Sequence, residues 1–247
     1  PQTVDSPPMR RSRHIIKHIK DAVASFAIVF LAATHHGCRD EGETEVNVPV
    51  NYDIVEVASV DAGQTVLNLW RPDSDIPVVL TCHGSNPISN SAKHIRPGMC
   101  VLAGYSYTDG RVPYQSGAVT IRSFSYINNI KARKINIGAA VTNWDADPVE
   151  LWSIWRGGTR IFMRLSLPYT EEPRFFSMVI DPATESDPVP TLLLWHERAT
   201  HSPTFDRRYF AACDIATLWK DDAVEGVKVR VTNSLNPSQC EFIFMKQ

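Results

Sequence analysis

From Tyr52 onward the chain is written in one pattern: short runs of alternating apolar and polar side chains, punctuated by turn residues. A period of two puts every second side chain on one face of a pleated strand, so each run predicts a strand with one face to bury. Tyr52 to Val60 and Thr65 to Trp70 flank the turn Asp61-Ala62-Gly63. Val78 to Cys82 follows, and Met99 to Tyr107 runs between Pro97-Gly98 and Asp109-Gly110. Val119 to Ile130 reads as one long strand with large side chains on both faces. Val149 to Arg156 and Thr159 to Leu167 flank Gly157-Gly158, two glycines able to take the positive φ angles of a tight primed turn and the best hairpin signal in the chain. Ile161, Met163, Leu165 and Leu167 share one face of that hairpin; Arg160, Arg164 and Ser166 share the other. Arg174 to Asp181, Thr191 to Glu197, Val227 to Val231 and Phe242 to Lys246 complete the strands. Arg208 to Lys220 is the helical candidate of this region, but its apolar residues do not recur at the helical period. Tyr209 to Ala212 reads equally as strand, and Asp214 to Trp219 as one short turn of helix. Short strands without βαβ alternation predict an all-β protein made of sandwich or barrel units.

Asn143 to Pro148 (NWDADP) is polar and punctuated and reads as a linker or long turn. It divides the strands into a first domain over residues 51–146 and a second over 147–247. Residues 39–50 read as an acidic linker.

Residues 1–38 obey different rules. Pro1 to Pro8 looks like leader ahead of a start at Met9. Arg10, Arg11, Arg13, Lys17 and Lys20 then precede the thirteen uncharged residues Ala22 to Thr34. That run is too short for a bilayer span of ~20 apolar residues and suits the apolar region of a signal peptide. It is followed by His35-His36-Gly37-Cys38, and then by Arg39, Asp40, Glu41, Glu43 and Glu45. The order predicts an exported protein with Cys38 as the lipid attachment site; ordinary cleavage nearby, without lipid, is the alternative. Two or more acyl chains on Cys38 would hold the protein stably on a membrane, where a single chain is marginal.

Five of the 25 Lys and Arg and two of the 27 Asp and Glu precede residue 39, leaving 20 basic and 25 acidic side chains beyond it. So acidic a body is poorly suited to a polyphosphate, and no nucleic-acid partner is expected. Besides Cys38 the chain has Cys82, Cys100, Cys213 and Cys240. An even number in an exported chain permits disulfides, with Cys82–Cys100 and Cys213–Cys240 the simplest pairing; four buried thiols is the other reading.

No stretch spells out a catalytic or metal site, and no cofactor is expected. His196-Glu197 and His201 imitate a zinc-protease motif, but the histidines are five apart where that motif needs four. Gly104 to Thr108 lacks the closing glycine and the following helix of a nucleophile elbow. Cys82 and His83 are neighbours on a predicted strand and so point to opposite faces. The better hints are aromatic. Tyr105, Tyr107, Tyr114, Trp144 and Trp155 are the candidate stacking platforms for a sugar or peptide, with Trp152, Trp195 and Tyr126 further aromatics of the same kind. The loops Cys82 to Pro97 and Asp109 to Val119 are where a partner would touch a barrel.

Three segments carry a family resemblance: the strand–turn–strand block Tyr52 to Leu69, the hairpin Asp147 to Leu167 (DPVELWSIWRGGTRIFMRLSL), and the late layout of TLLLWHE, Phe210 to Leu218 and VKVRVTN. Together they span most of residues 50–247, and they resemble the NigD-like envelope lipoproteins of Bacteroidota. The resemblance implies an N-terminal OB-like barrel followed by a C-terminal immunoglobulin-like β-sandwich. It also implies an outer-membrane lipoprotein, facing the periplasm or the surface, and it brings no catalytic residues. The expected function is therefore a non-enzymatic envelope module that binds a protein, peptide or glycan. A bacteriocin immunity factor and a hydrolase with a dispersed active site are the alternatives.

Overall fold

A computed structural model describes residues 48–61, 63–110, 113–134, 144–145, 148–169, 174–197 and 205–246. Cys38 and the expected signal lie outside them, as does His201. Strands β1 (Asn51–Asp61), β2 (Gln64–Leu69), β3 (Val78–His83), β4 (Cys100–Tyr107) and β5 (Gly117–Tyr126) close into a barrel in the order β1-β2-β3-β5-β4, with β4 pairing back onto β1. The β3–β5 pair is parallel and its neighbours are antiparallel, which is the strand order of an OB-like barrel. The period of two works as expected: Val55, Val57, Leu67, Leu80, Val101 and Ile121 all point inward. Burying each such side chain stabilises the barrel by roughly 1.5–3 kcal/mol. Between β3 and β4 a single helical turn, α1 (Pro87–Asn90), sets Ile88 into the core. Its start is written in the sequence. Asn86 accepts from the Ile88 and Ser89 amides at 3.0 and 3.1 Å, Ser89 Oγ accepts from the Asn86 amide at 2.9 Å, and Pro87 needs no amide partner.

The remaining strands are β6 (Asn128–Lys134), β7 (Trp144–Asp145), β8 (Glu150–Gly157), β9 (Arg160–Tyr169), β10 (Phe176–Ile180), β11 (Thr191–Glu197), β12 (Phe205–Asp214), β13 (Gly226–Arg230) and β14 (Glu241–Met245). They follow the order β14-β13-β11-β10-β6-β12-β9-β8, with β7 paired onto β11. β6 is the seam. Its first half pairs with β12 at Ala211–Asp214 and its second with β10 at Met178–Ile180, so the ladder folds into two sheets that face each other. Leu151, Met163 and Ala211 from one sheet meet Met178, Leu192 and Val229 from the other in a single core, as in an immunoglobulin-like sandwich. The ambiguous segment resolves into both readings: Phe205–Asp214 is strand, and Ala216–Trp219 is one helical turn, α2.

Three expectations need correction. Val119 to Ile130 is not one strand. β5 ends at Tyr126 and β6 begins at Asn128, because there the chain leaves the barrel for the sandwich. The Asn129 side chain completes the exchange, accepting from the Cys100 amide at 2.6 Å and donating to the Cys100 carbonyl at 2.8 Å. By its pairing β6 thus belongs with the second unit, and so does β7 inside the segment read as a linker, since Trp144 and Asp145 pair with Glu197 and His196 of β11. The Gly157-Gly158 hairpin is present, but only Gly158 takes a positive φ, +54°, and the turn residues are Gly158 and Thr159. Gly157 is a glycine for another reason: a Cβ there would lie 2.5 Å from Trp70 Cβ. Finally, Cys82, Cys100, Cys213 and Cys240 are free thiols, the first three buried. Cys82 on β3 and Cys100 on β4 stand on strands separated by β5, and β12, which carries Cys213, does not border β14, before which Cys240 lies.

Barrel and sandwich are parts of one compact unit. Ile54, Cys100 and Leu102 on the outer wall of the barrel pack against Phe162, Phe210 and Ala212 on the outer face of the sandwich. The Trp70 ring lies over the β8–β9 turn. Arg160 Nη2 donates to Glu56 Oε1 at 2.9 Å and to the Gly98 carbonyl at 2.6 Å, while Trp70 Nε1 donates to Glu56 Oε2 at 2.8 Å.

Candidate functional site

Beside this joint the outer faces of both units open into a groove. The β8–β9 ladder puts Trp155 opposite Phe162 and Ser153 opposite Arg164. The barrel supplies Asp53 and Ile54 from β1, Trp70 and Arg71 from the end of β2 onward, and Tyr114 from the β4–β5 loop. These side chains line a cavity of about 200 Å³. A second depression, of about 370 Å³, extends over the sandwich between Trp152, Arg208 and Phe210, and shares Ser153 and Arg164 with the first.

The polar groups of the groove form a chain. Tyr105 donates its hydroxyl to Asp53 Oδ2 at 3.1 Å. Asp53 Oδ1 lies 3.8 Å from Arg164 Nη2, an ion pair beyond hydrogen-bond reach. The Arg164 guanidinium sits 5.5 Å from the Trp155 ring centroid, and Trp155 is stacked on buried Phe162 with centroids 5.3 Å apart. Burial first, and then the charge of Asp53, pushes the Tyr105 phenol above its ordinary pKa, so it remains a donor. Arg164 Nε is buried with no hydrogen-bond partner. In the second depression Arg208 lies 5.6 Å from the Trp152 centroid. A guanidinium stacked on an aromatic ring keeps its N–H edges directed sideways, available to an incoming acceptor.

The structure sorts the predicted platforms. Tyr114 is 51% exposed, and it and Trp155 line the groove. Tyr105 and Tyr107 are not platforms: both point into the barrel from β4, and Tyr107 donates to the Gln115 carbonyl at 2.9 Å. Tyr105 serves the site from beneath instead, by tethering Asp53. The Trp144 backbone pairs with Glu197, and its side chain lies outside the described residues. Among the others, Trp152 and Tyr126 are equally exposed, Trp152 in the second depression and Tyr126 edge-on against Phe124 on the barrel, away from both depressions. Trp70, Arg164, Arg208 and Asp53 were absent from the expected set. The outward face of Arg160, Arg164 and Ser166 was legible as polar; which surface it met was not.

His83 is exposed while its neighbour Cys82 is buried in the barrel. His196 is buried at the end of β11, its Nδ1 3.4 Å from Arg174 Nη1. Among the described residues no group of three His, Cys, Asp or Glu is placed to hold a metal ion.

The chain shares its fold with solved structures from Bacteroidales. One is a NigD-like immunity protein of Bacteroides caccae, with a TM-score of 0.55 at 18% identity over 78% of this chain and 90% of that one. A protein of Parabacteroides distasonis described as toxin-related gives a TM-score of 0.58 at 15% identity, over 80% and 92% of the two chains. A protein of Bacteroides fragilis described as a lipoprotein gives 0.52 at 12%, over 79% and 96%. No family model matches the sequence, and no curated protein is similar to it in sequence.

Proposed function

We propose that this protein is a non-enzymatic binding module of the cell envelope, and that the groove beside the barrel–sandwich joint is where it takes a protein, peptide or glycan. One observation carries the reading. Trp70, Tyr114 and Trp155, from three separate stretches of sequence, line one cavity with Arg164, whose Nε is left without a partner. Apolar rings with a few convergent polar groups are the makings of a ligand site. The envelope location rests on the signal-like segment ending at Cys38 and on fold neighbours described as a lipoprotein and a NigD-like immunity protein.

The test is a screen of the wild-type chain against arrayed saccharides, peptides and bacteriocins, with Trp155→Ala and Arg164→Gln run beside it and circular dichroism as the control for folding. At least one ligand class is expected to be held by wild type and to lose about tenfold or more in affinity in both variants, roughly 1.4 kcal/mol. Binding that both folded variants retain in full overturns the assignment to the groove. A bacteriocin held in this manner favours the immunity reading, which the NigD-like fold neighbour supports.

A further inference from the structure

One arrangement in the groove occurs twice. Arg164 lies on Trp155 at 5.5 Å and Arg208 lies on Trp152 at 5.6 Å. Across the β9–β12 ladder Arg164 faces Phe210 and Arg208 faces Ser166. The two arginines are therefore diagonal neighbours on one face of the sheet, about 7–8 Å apart at the backbone. Between the two depressions they share Ser153 and Arg164 as a common floor.

Accepting the groove as a binding site, we infer that its ligand is an acidic oligosaccharide, a run of sugar rings bearing carboxylates at a regular interval. A repeated site fits a repeating ligand. Each arginine offers N–H donors for a carboxylate, and the exposed Trp152 indole offers a face to the C–H side of a sugar ring, whereas Trp155, held between Arg164 and Phe162, backs the groove. Trp152 is 55% exposed, so its ring is open to such a partner. The charge of the site has the sign this needs. Arg71, Arg164 and Arg208 line the two depressions against Asp53 alone, although the chain beyond residue 38 is acidic overall. A cleft lined by one sign of charge concentrates ligands of the other. Asp53 and the Ser153 hydroxyl add partners for sugar hydroxyls. A neutral glycan would bring the guanidinium edges no carboxylate, and a peptide of acidic residues alone brings no ring for the Trp152 indole. A nucleic-acid backbone would set phosphates against Asp53 and against an acidic body.

The experiment titrates tryptophan fluorescence with oligogalacturonate, with a cello-oligosaccharide of equal length and with poly-glutamate, at low and at physiological salt. Oligogalacturonate is expected to bind, more weakly as salt rises, and to lose about tenfold in affinity in Arg208→Gln, an exposed position whose change leaves the core untouched. The other two probes are expected to bind at least about tenfold more weakly than oligogalacturonate. Equal binding of the neutral oligosaccharide, or tighter binding of poly-glutamate, overturns the acidic saccharide. If that binding still falls in Trp155→Ala, the groove stands as a binding site and only the ligand class is wrong. Oligogalacturonate binding indifferent to Arg208→Gln overturns the inference, and failure of all three probes to bind does so as well.

Discussion

Cys100 shows how a single residue acquires chemistry from its surroundings. It is buried at the joint, its backbone bracketed by Asn129. Burial pushes its thiol up to about 12, with Arg160 opposing and Glu56 and Asp214 adding to the rise. An unfolded thiol ionises nearer 9. Between those values the unfolded chain gives up a proton that the native state keeps, so the stability present below pH 9 is lost as pH rises toward 12. Urea midpoints of wild type are therefore expected to fall more steeply over this range than those of Cys100→Ala, and parallel slopes would contradict the assignment. None of this was legible in the sequence, where Cys100 was one member of an even set that could be bridged or reduced. Tyr105 teaches the same lesson. It was legible as an aromatic on a strand, but the face it took and its bond to Asp53 depended on β1 lying alongside β4.

At the scale of the element, the β8–β9 hairpin was the plainest structure in the sequence, and yet both of its glycines answer to a contact from outside it. A Cβ at Gly157 would meet Trp70 Cβ at 2.5 Å, whereas a Cβ at Gly158 would meet ring atoms of Trp70 at 2.8 to 3.1 Å. Gly157→Ala and Gly158→Ala are each expected to cost roughly 1–3 kcal/mol, the first by crowding and the second by crowding together with its positive φ. Replacing Trp70 by Ala removes the ring but keeps the Cβ. It should relieve much of the crowding at Gly158 and little at Gly157, where the nearest clash is with Trp70 Cβ, as read from urea midpoints of the double variants. Equal relief at the two positions would show that the docking geometry is wrong. The β5–β6 junction is the matching case among strands: alternation runs through Ile127 without a break, and the change of sheet there is set by which neighbours offer hydrogen bonds.

For the whole molecule, the joint makes barrel and sandwich one body. Ile54, Cys100 and Phe162 form a buried cluster between them, ringed by Trp70, Trp155 and Phe210. The mostly buried Glu56–Arg160 pair ties the two units together, since Glu56 belongs to the barrel and Arg160 to the sandwich. A double-mutant cycle with Glu56→Ala and Arg160→Ala is expected to give a coupling of about 1–3 kcal/mol, and wild type to unfold in a single transition by near- and far-ultraviolet circular dichroism. Coupling near zero, or two resolved transitions in wild type, would mean that the units are only tethered. The sequence by itself determined the class of the fold, most strand positions and the hairpin, while α1 fell inside the stretch Cys82 to Pro97 read as a loop. The class, the strands and the hairpin depend on neighbours a few residues apart, and a period of two records such neighbours directly. The tertiary structure alone decided that β6 bridges two sheets, that the four thiols stay apart, and that Trp70, Tyr114, Trp155 and Arg164 share a groove. Those facts depend on contacts between residues far apart in the chain, and an outward-facing side chain carries no local mark of the surface it will meet.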